Sequence, residues 1–179
     1  GVLDLPEGIR WAAERGRGMA AIEGDRGAMA AIVADPETVE SLLVPGAVIA
    51  NVNHPRQLVV SGTSEAVEQV ALAAEARELK TVRLNVAHGF HSQVFDALDL
   101  DAVVDGLTLD EPQIPVASCV QDRPYADAAE ARAVFRRHAQ SPVWFTRTLK
   151  QCQELGADVF LQVGAGGPLV SFAKGTLGT

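Results

Sequence analysis

The sequence predicts an α/β fold with a small βαββαβ unit set inside a larger body, and three observations carry that expectation. Residues 28–87 alternate short apolar runs with helical stretches in the order strand, helix, strand, strand, helix, strand, the order of a ferredoxin-like unit. The residues that follow alternate helical periods with apolar runs of strand length, which suggests parallel α/β packing. Hydrophobic residues make up 47% of the 179 positions, enough for a sizeable core and too many for a disordered chain. The expected organisation is therefore residues 1–27 and 88–179 as the large unit and 28–87 as the small one.

Residues 6–17 (PEGIRWAAERGR) read as a helix, with Pro6 in its first turn and Ile9, Ala12 and Ala13 on one face. The GDRG stretch at 24–27 breaks it. AMAAIVA (28–34) reads as a strand, PETVESLLV (36–44) as a helix capped by Asp35, and AVIANVN (47–53) and QLVVSGT (57–63) as strands joined by a turn at His54 and Pro55. SEAVEQVALAAEARELK (64–80) is the strongest helical signal, with Ser64 at the cap and an apolar stripe of Val67, Val70, Ala71 and Ala74. TVRLNVA (81–87) is the fourth strand. Beyond it, helices are expected at 95–106, 127–139, 142–156 and after the GAGG turn at 164–167, with strands at 114–120 and 157–164. Gly156 is a C-cap candidate.

The bulk numbers exclude some functions. The formal net charge is −8, which argues against a nucleic-acid or anionic-membrane partner, since both require a basic face. An RNA-binding α+β unit also lacks its strand aromatics. Cys119 and Cys152 have no CxxC spacing and read as reduced thiols. No apolar run reaches the length of a membrane span and no signal-peptide pattern opens the sequence, so a cytoplasmic domain is expected.

Two of the four histidines, His88 and His91, fall in the short stretch VAHGFHSQV at 86–94. Such a loop can hold a catalytic base, two metal ligands, or merely polar groups satisfied by their surroundings. A zinc site needs three or four ligands, and no nearby cysteine or acidic pair completes one. A base needs a nucleophile, yet no serine lies in a G-x-S-x-G elbow, and Ser92 adjoins His91 too closely to face it. The residues alone leave these possibilities open.

RGRGM (15–19) followed by AMAAI, ANVNHPRQLVVSG (50–62), HGFHS (88–92), RRHAQSPVWF (136–145) and DVFLQVGAGGPL (158–169) occur in that order. Together they resemble the malonyl-transferring acyltransferases of polyketide and fatty-acid synthesis, over nearly the whole chain. The resemblance implies an α/β-hydrolase-like body carrying a ferredoxin-like subdomain. It implies transfer of malonyl from coenzyme A to an acyl carrier protein through an acyl-serine, with no resident cofactor or metal. A Gly-His-Ser-x-Gly elbow lies upstream of the matching segment in the family. The expectation is thus a C-terminal portion whose nucleophile, and the rest of its domain, are supplied from outside these residues.

The resemblance also assigns roles. His91 matches the catalytic base. The backbone carbonyl of His138 matches the group that orients it, while the His138 side chain is expected to be incidental. Arg15 matches the arginine that clamps the malonyl carboxylate, a task suited to its planar fork; on the residues alone, Arg15 is a solvated helix residue paired with Glu14 or with the neighbours of Arg17. Phe90 matches a wall that favours malonyl over methylmalonyl, and Gly89 replaces the alanine of a motif like HAFH. Asn51, Asn53, Pro55 and Gln57 are expected to tie the hairpin to the body. A different class of function, a non-catalytic remnant or interaction module docking through the ferredoxin-like unit, is the alternative.

Overall fold

The computed structural model describes residues 2–164 and 167–178. Among them the fold is mixed α/β, with seven α-helices and one four-stranded sheet. The first helix, α1 (Leu5–Ala20), starts where Asp4 accepts a hydrogen bond from the Glu7 backbone N–H at 2.8 Å, with Pro6 in the first turn. It runs through Gly16 and Gly18 and so ends three residues later than its periodicity suggests.

The sheet contains β1 (Ala28–Ile32), β2 (Ala47–His54), β3 (Gln57–Gly62) and β4 (Thr81–Arg83), in spatial order β2-β3-β1-β4. Every pairing is antiparallel: Ala30 faces Val60 and Arg83, and Ile49 faces Val60 from the other side. With α2 (Pro36–Glu40) after β1 and α3 (Ser64–Ala76) after β3, the expected βαββαβ order is present. The period-2 pattern sends Ile32, Leu58 and Val60 toward a core shared with Val39, Leu42, Val70 and Ala74. Met29, Ala31 and Val59 point the opposite way, where Leu84 and Phe90 cover them. The sheet is thus buried on both faces, by helices on one and by the histidine loop on the other.

Several boundaries differ from expectation for local reasons. Thr63, not Ser64, caps α3 through the Ala66 N–H; Ser64 instead bonds Asp25. The helix stops at Ala76 because Glu78 adopts φ 59° and the Leu79 N–H returns to the Ala74 carbonyl at 3.0 Å, a Schellman closure. β4 ends at Arg83, after which the chain leaves the sheet for the histidine loop.

The body holds a 3₁₀ turn at Gln93–Phe95, α4 (Asp101–Asp105), α5 (Ala128–Arg137), α6 (Phe145–Glu154) and α7 (Leu169–Leu177). The helix expected at 95–106 is therefore two short pieces. Asp127 caps α5 through the Glu130 N–H at 2.7 Å, and Phe135 on α5 stacks on Trp11 of α1 at 5.5 Å. Gly156 ends α6 as expected, with φ 94° and the Ala157 N–H on the Cys152 carbonyl. The helix begins at Phe145 rather than residue 142 because Val143 is engaged elsewhere. Its N–H donates to the Ala50 carbonyl at 2.7 Å and its carbonyl accepts from the Val52 N–H at 2.8 Å, a parallel bridge onto β2. Backbone groups thus tie the hairpin to the body; the side chains of Asn51, Asn53 and Gln57 make no hydrogen bond among the described residues. Neither 114–120 nor 157–164 is a paired strand. Ala165 and Gly166 of the expected glycine turn lie outside the described residues.

Candidate active site

The histidine loop is held against the sheet unit by an absent side chain. Gly89 donates its N–H to the Arg26 carbonyl at 2.8 Å, and a Cβ built on it would lie 2.7 Å from the Gly62 carbonyl oxygen. Alanine at this position, as in the motif HAFH, would force the loop and β3 apart. The buried Ser92 closes the other end. Its hydroxyl donates to the Gly89 carbonyl at 2.6 Å and caps the 3₁₀ turn through the Val94 N–H.

Between these anchors His91 adopts φ 60°, a left-handed conformation uncommon for a residue with a side chain and of a kind concentrated at functional sites. Two bonds hold it there. Its backbone N–H donates to the Ala139 carbonyl at 3.0 Å, and its ring Nδ1 lies 2.9 Å from the Ser141 carbonyl. A carbonyl can only accept, so Nδ1 carries the proton and Nε2 keeps its lone pair. The orienting carbonyl was expected from His138. The hydrogen bond goes to Ser141 instead, with the His138 backbone a weaker contributor. The reason is local: the Arg137 carbonyl closes the end of α5 by accepting from Gln140 and Ser141, and Pro142 disfavours helical backbone at Ser141. The Ser141 carbonyl is therefore released toward the loop.

Burial pulls the His91 pKa below its usual value, outweighing the stabilising Ser141 carbonyl, and the nearby Arg15 charge adds to the depression. The ring is consequently neutral at pH 7, with a free Nε2, as a general base must be.

Arg15 reaches this place through helix periodicity. Met19, four residues on, shares its face and is buried with Phe95 and Ala139, residues of the loop and of the turn after α5. Glu14 pairs with Arg17, not with Arg15. Arg15 makes no salt bridge among the described residues, and its Nε is buried without a hydrogen-bond partner. Burial lowers its pKa, though a guanidinium stays charged at neutral pH. The ring of His138, at the C-terminal end of α5, stands edge-on to His91 with centroids 6.4 Å apart.

Phe90 packs its ring between the sheet and the end of α1, stacked on Phe95 at 5.6 Å. His88 is buried beside both rings, each 5.8 Å away, and its Nε2 has no hydrogen-bond partner among the described residues. Among the described residues no group of three His, Cys, Asp or Glu could hold a metal. An apolar groove of about 490 Å³ between α6, α7 and residues 157–162 contains neither His91 nor Arg15. The structure thus brings Arg15, His91 and His138 together, with Phe90 at the same loop. Sequence reasoning missed Ser141, for which the only signal was the proline behind it.

The sequence profile of the acyl transferase domain matches residues 1–177. The chain belongs to the acyl transferase domain family. Mycoketide-CoA synthase of Mycobacterium tuberculosis is 36% identical over 179 residues, covering 99% of this chain and 4% of that protein. Polyketide synthase GfsA of Streptomyces halstedii is 35% identical over 180 residues, covering 97% and 2%. Among solved structures, the acyltransferase domain from the second module of the salinomycin polyketide synthase superposes with a TM-score of 0.87 at 32% identity, covering 100% of this chain and 43% of that one. A type II polyketide malonyl-transacylase in complex with its acyl-carrier protein gives 0.90 at 28%, covering 100% and 61%. The acyltransferase chain spans a small part of its curated relatives and about half of the solved domains. The mixed α/β fold is that of these acyltransferase domains. No described helix is long and apolar enough to cross a membrane.

Proposed function

We propose that this chain is the histidine-bearing portion of a malonyl-CoA:acyl carrier protein acyltransferase in polyketide or fatty-acid synthesis. The observation that carries this is the neutral His91 imidazole, in a left-handed residue held by two carbonyls, near the half-buried Arg15 guanidinium that makes no salt bridge among the described residues. Residues 1–27 and 88–179 would form the body and 28–87 the small subdomain, in a cytoplasmic setting with no nucleic-acid or membrane partner.

In this reading the nucleophilic serine comes from polypeptide outside the 179 residues. His91 Nε2 takes its proton as the oxygen attacks the malonyl thioester carbonyl, and the resulting imidazolium gives that proton to the departing coenzyme A thiolate. The carrier protein's phosphopantetheine thiol then repeats the cycle, losing its proton to His91 while the serine ester breaks. Ser141, through its carbonyl, holds the tautomer as a carboxylate does in a Ser-His-Asp triad. Arg15 would bind the free carboxylate of malonyl through two parallel hydrogen bonds. Phe90 would occupy the space an α-methyl branch needs, a discrimination of about 1–3 kcal/mol. The malonyl-transacylase solved with its acyl-carrier protein supports the carrier as partner.

The test is acyl-enzyme formation in the parent domain that contains this chain, read by intact mass after exposure to malonyl-CoA. His91→Ala is expected to lose at least ~100-fold in loading rate. Loading at the parent rate would overturn the assignment of His91 as base.

A further inference from the structure

The carbonyl that orients His91 comes from Ser141, which leaves the His138 imidazole without a part. Its surroundings are unusual. The His138 and His91 ring centroids are 6.4 Å apart, the Arg15 guanidinium lies near enough to act on both rings, and no acidic side chain pairs with Arg15 among the described residues. Five other arginines of the chain do find carboxylates: Arg10, Arg17, Arg83, Arg123 and Arg136. The His138 ring also makes no hydrogen bond to any described residue, and the Arg15 Nε is buried and unsatisfied. One guanidinium and two neutral imidazoles therefore share one partly buried space, with no counter-charge to Arg15 among the described residues. Partly burying a guanidinium unpaired is unfavourable, and an anion seated beside it relieves the cost.

We propose that the His138 side chain is a second substrate-facing group, which with Arg15 forms a two-sided notch for the carboxylate of the acyl substrate. This rests on the acyltransferase reading above and deepens it. The division of labour follows from the chemistry of the two groups. A carboxylate offers about four lone-pair sites. The Arg15 fork occupies two of them and leaves two facing outward. A neutral imidazole supplies one N–H to an outward lone pair, adding a directional contact without adding another buried charge. Burial, followed by the charges of Arg15, His91 and Arg137, lowers the His138 pKa to about 4, so this neutral donor is the form present at pH 7. An acyl group without a carboxylate gains nothing from either residue. His138 therefore acts as a specificity-determining residue for carboxylated acyl groups.

The experiment uses this 179-residue chain with malonate as probe and malonamide, its uncharged counterpart, as control. The ring Cε1–H resonances of the four histidines are followed by NMR at neutral pH. Malonate is expected to shift the His138 resonance saturably and malonamide is not. His138→Leu is expected to weaken malonate binding at least ~5-fold, while His138→Gln, which keeps a neutral donor, stays within ~2-fold of the parent. If His138→Leu fails to fold, the parent titration and His138→Gln decide. Malonate shifting His91 but leaving His138 unmoved overturns the role of His138 and leaves the Arg15 clamp standing. No saturable shift at any histidine overturns both.

Discussion

Residues 57–62 and 157–164 are both short apolar runs rich in valine and leucine, yet they meet opposite fates. QLVVSG becomes β3, the second strand from one edge of the sheet, with Leu58 and Val60 fully buried. ADVFLQVG forms no strand. Val159, Leu161 and Val163 are 80%, 83% and 88% exposed, and the backbone of 158–163 makes no hydrogen bond to other described backbone. Composition does not separate them; partners do. β3 has β2 on one side, joined to it by a tight turn, and β1 on the other, reached across α2 and β2. No described strand pairs with 157–164, which has only the side of α6 and α7 for company. A nearly continuous apolar run is the signature of a strand covered on both faces, so this one carries the sequence of a central strand without the neighbours of one.

The sharpest way to break this comparison is to cut equal side chains from the two runs. Leu58→Ala removes a fully buried side chain from the shared core and is expected to cost about 2–5 kcal/mol in unfolding free energy. Urea denaturation of the 179-residue chain measures it. A loss below ~1 kcal/mol would mean that the small unit's core is not what holds the molecule together.

The same contrast explains what was legible beforehand. The βαββαβ order could be read because each of its signals is local: alternation along β1 and β3, the stripe on α3, the cap at Asp35. Boundaries failed where an ordinary residue took a special conformation, as Glu78 did in ending α3 without a glycine. The runs at 114–120 and 157–164 were misread as formed strands because periodicity reports what a segment suits, not whether a partner lies beside it. At the site, His91, Arg15 and Phe90 were legible only through resemblance to a family. Spacing could not reveal that a left-handed His91 would meet two carbonyls from the turn after α5. Ser141 was invisible because its contribution is a carbonyl, which every residue possesses.

On the β3 side of the comparison lies the seam where the histidine loop crosses the sheet. Gly89→Ala places a methyl 2.7 Å from the Gly62 carbonyl, backbone that has no room to retreat from its ladder. The expected cost is about 1–3 kcal/mol, with displacement of the His91 ring seen as a changed chemical shift. An unaltered His91 resonance at full stability would show that the seam is softer than its geometry.

The seam also titrates. His91 and His138 have lowered pKa values in the folded chain, largely through burial. Below about pH 6.5 the unfolded chain binds protons at these rings that the folded chain refuses. Stability should therefore fall as pH drops from about 6.5 toward about 4, where His138 titrates in the fold, by up to ~2 kcal/mol after allowing for its partial exposure. His138→Gln should flatten part of that decline, and urea midpoints measured across the window for both proteins check it. A parent curve that is flat from pH 6.5 to 4.5, or rises there on acidification, would contradict the burial of these rings.

The smallest expected effect belongs to the run that found no partner. Leu161→Ser replaces a side chain that is 83% exposed, so little apolar contact is lost and the change in unfolding free energy should stay within about ±0.5 kcal/mol. Solubility should rise, because Val159, Leu161 and Val163 are large apolar side chains exposed within five residues, a feature that favours association. In the longer acyltransferase domain proposed above, if its further polypeptide lies against 157–164, the same substitution should become costly, approaching the loss at Leu58. Measuring Leu161→Ser in both settings isolates the partner as the variable. Equal and negligible effects in the two would mean that residues 157–164 stay uncovered even in the larger protein, and that their apolar character serves something other than a sheet.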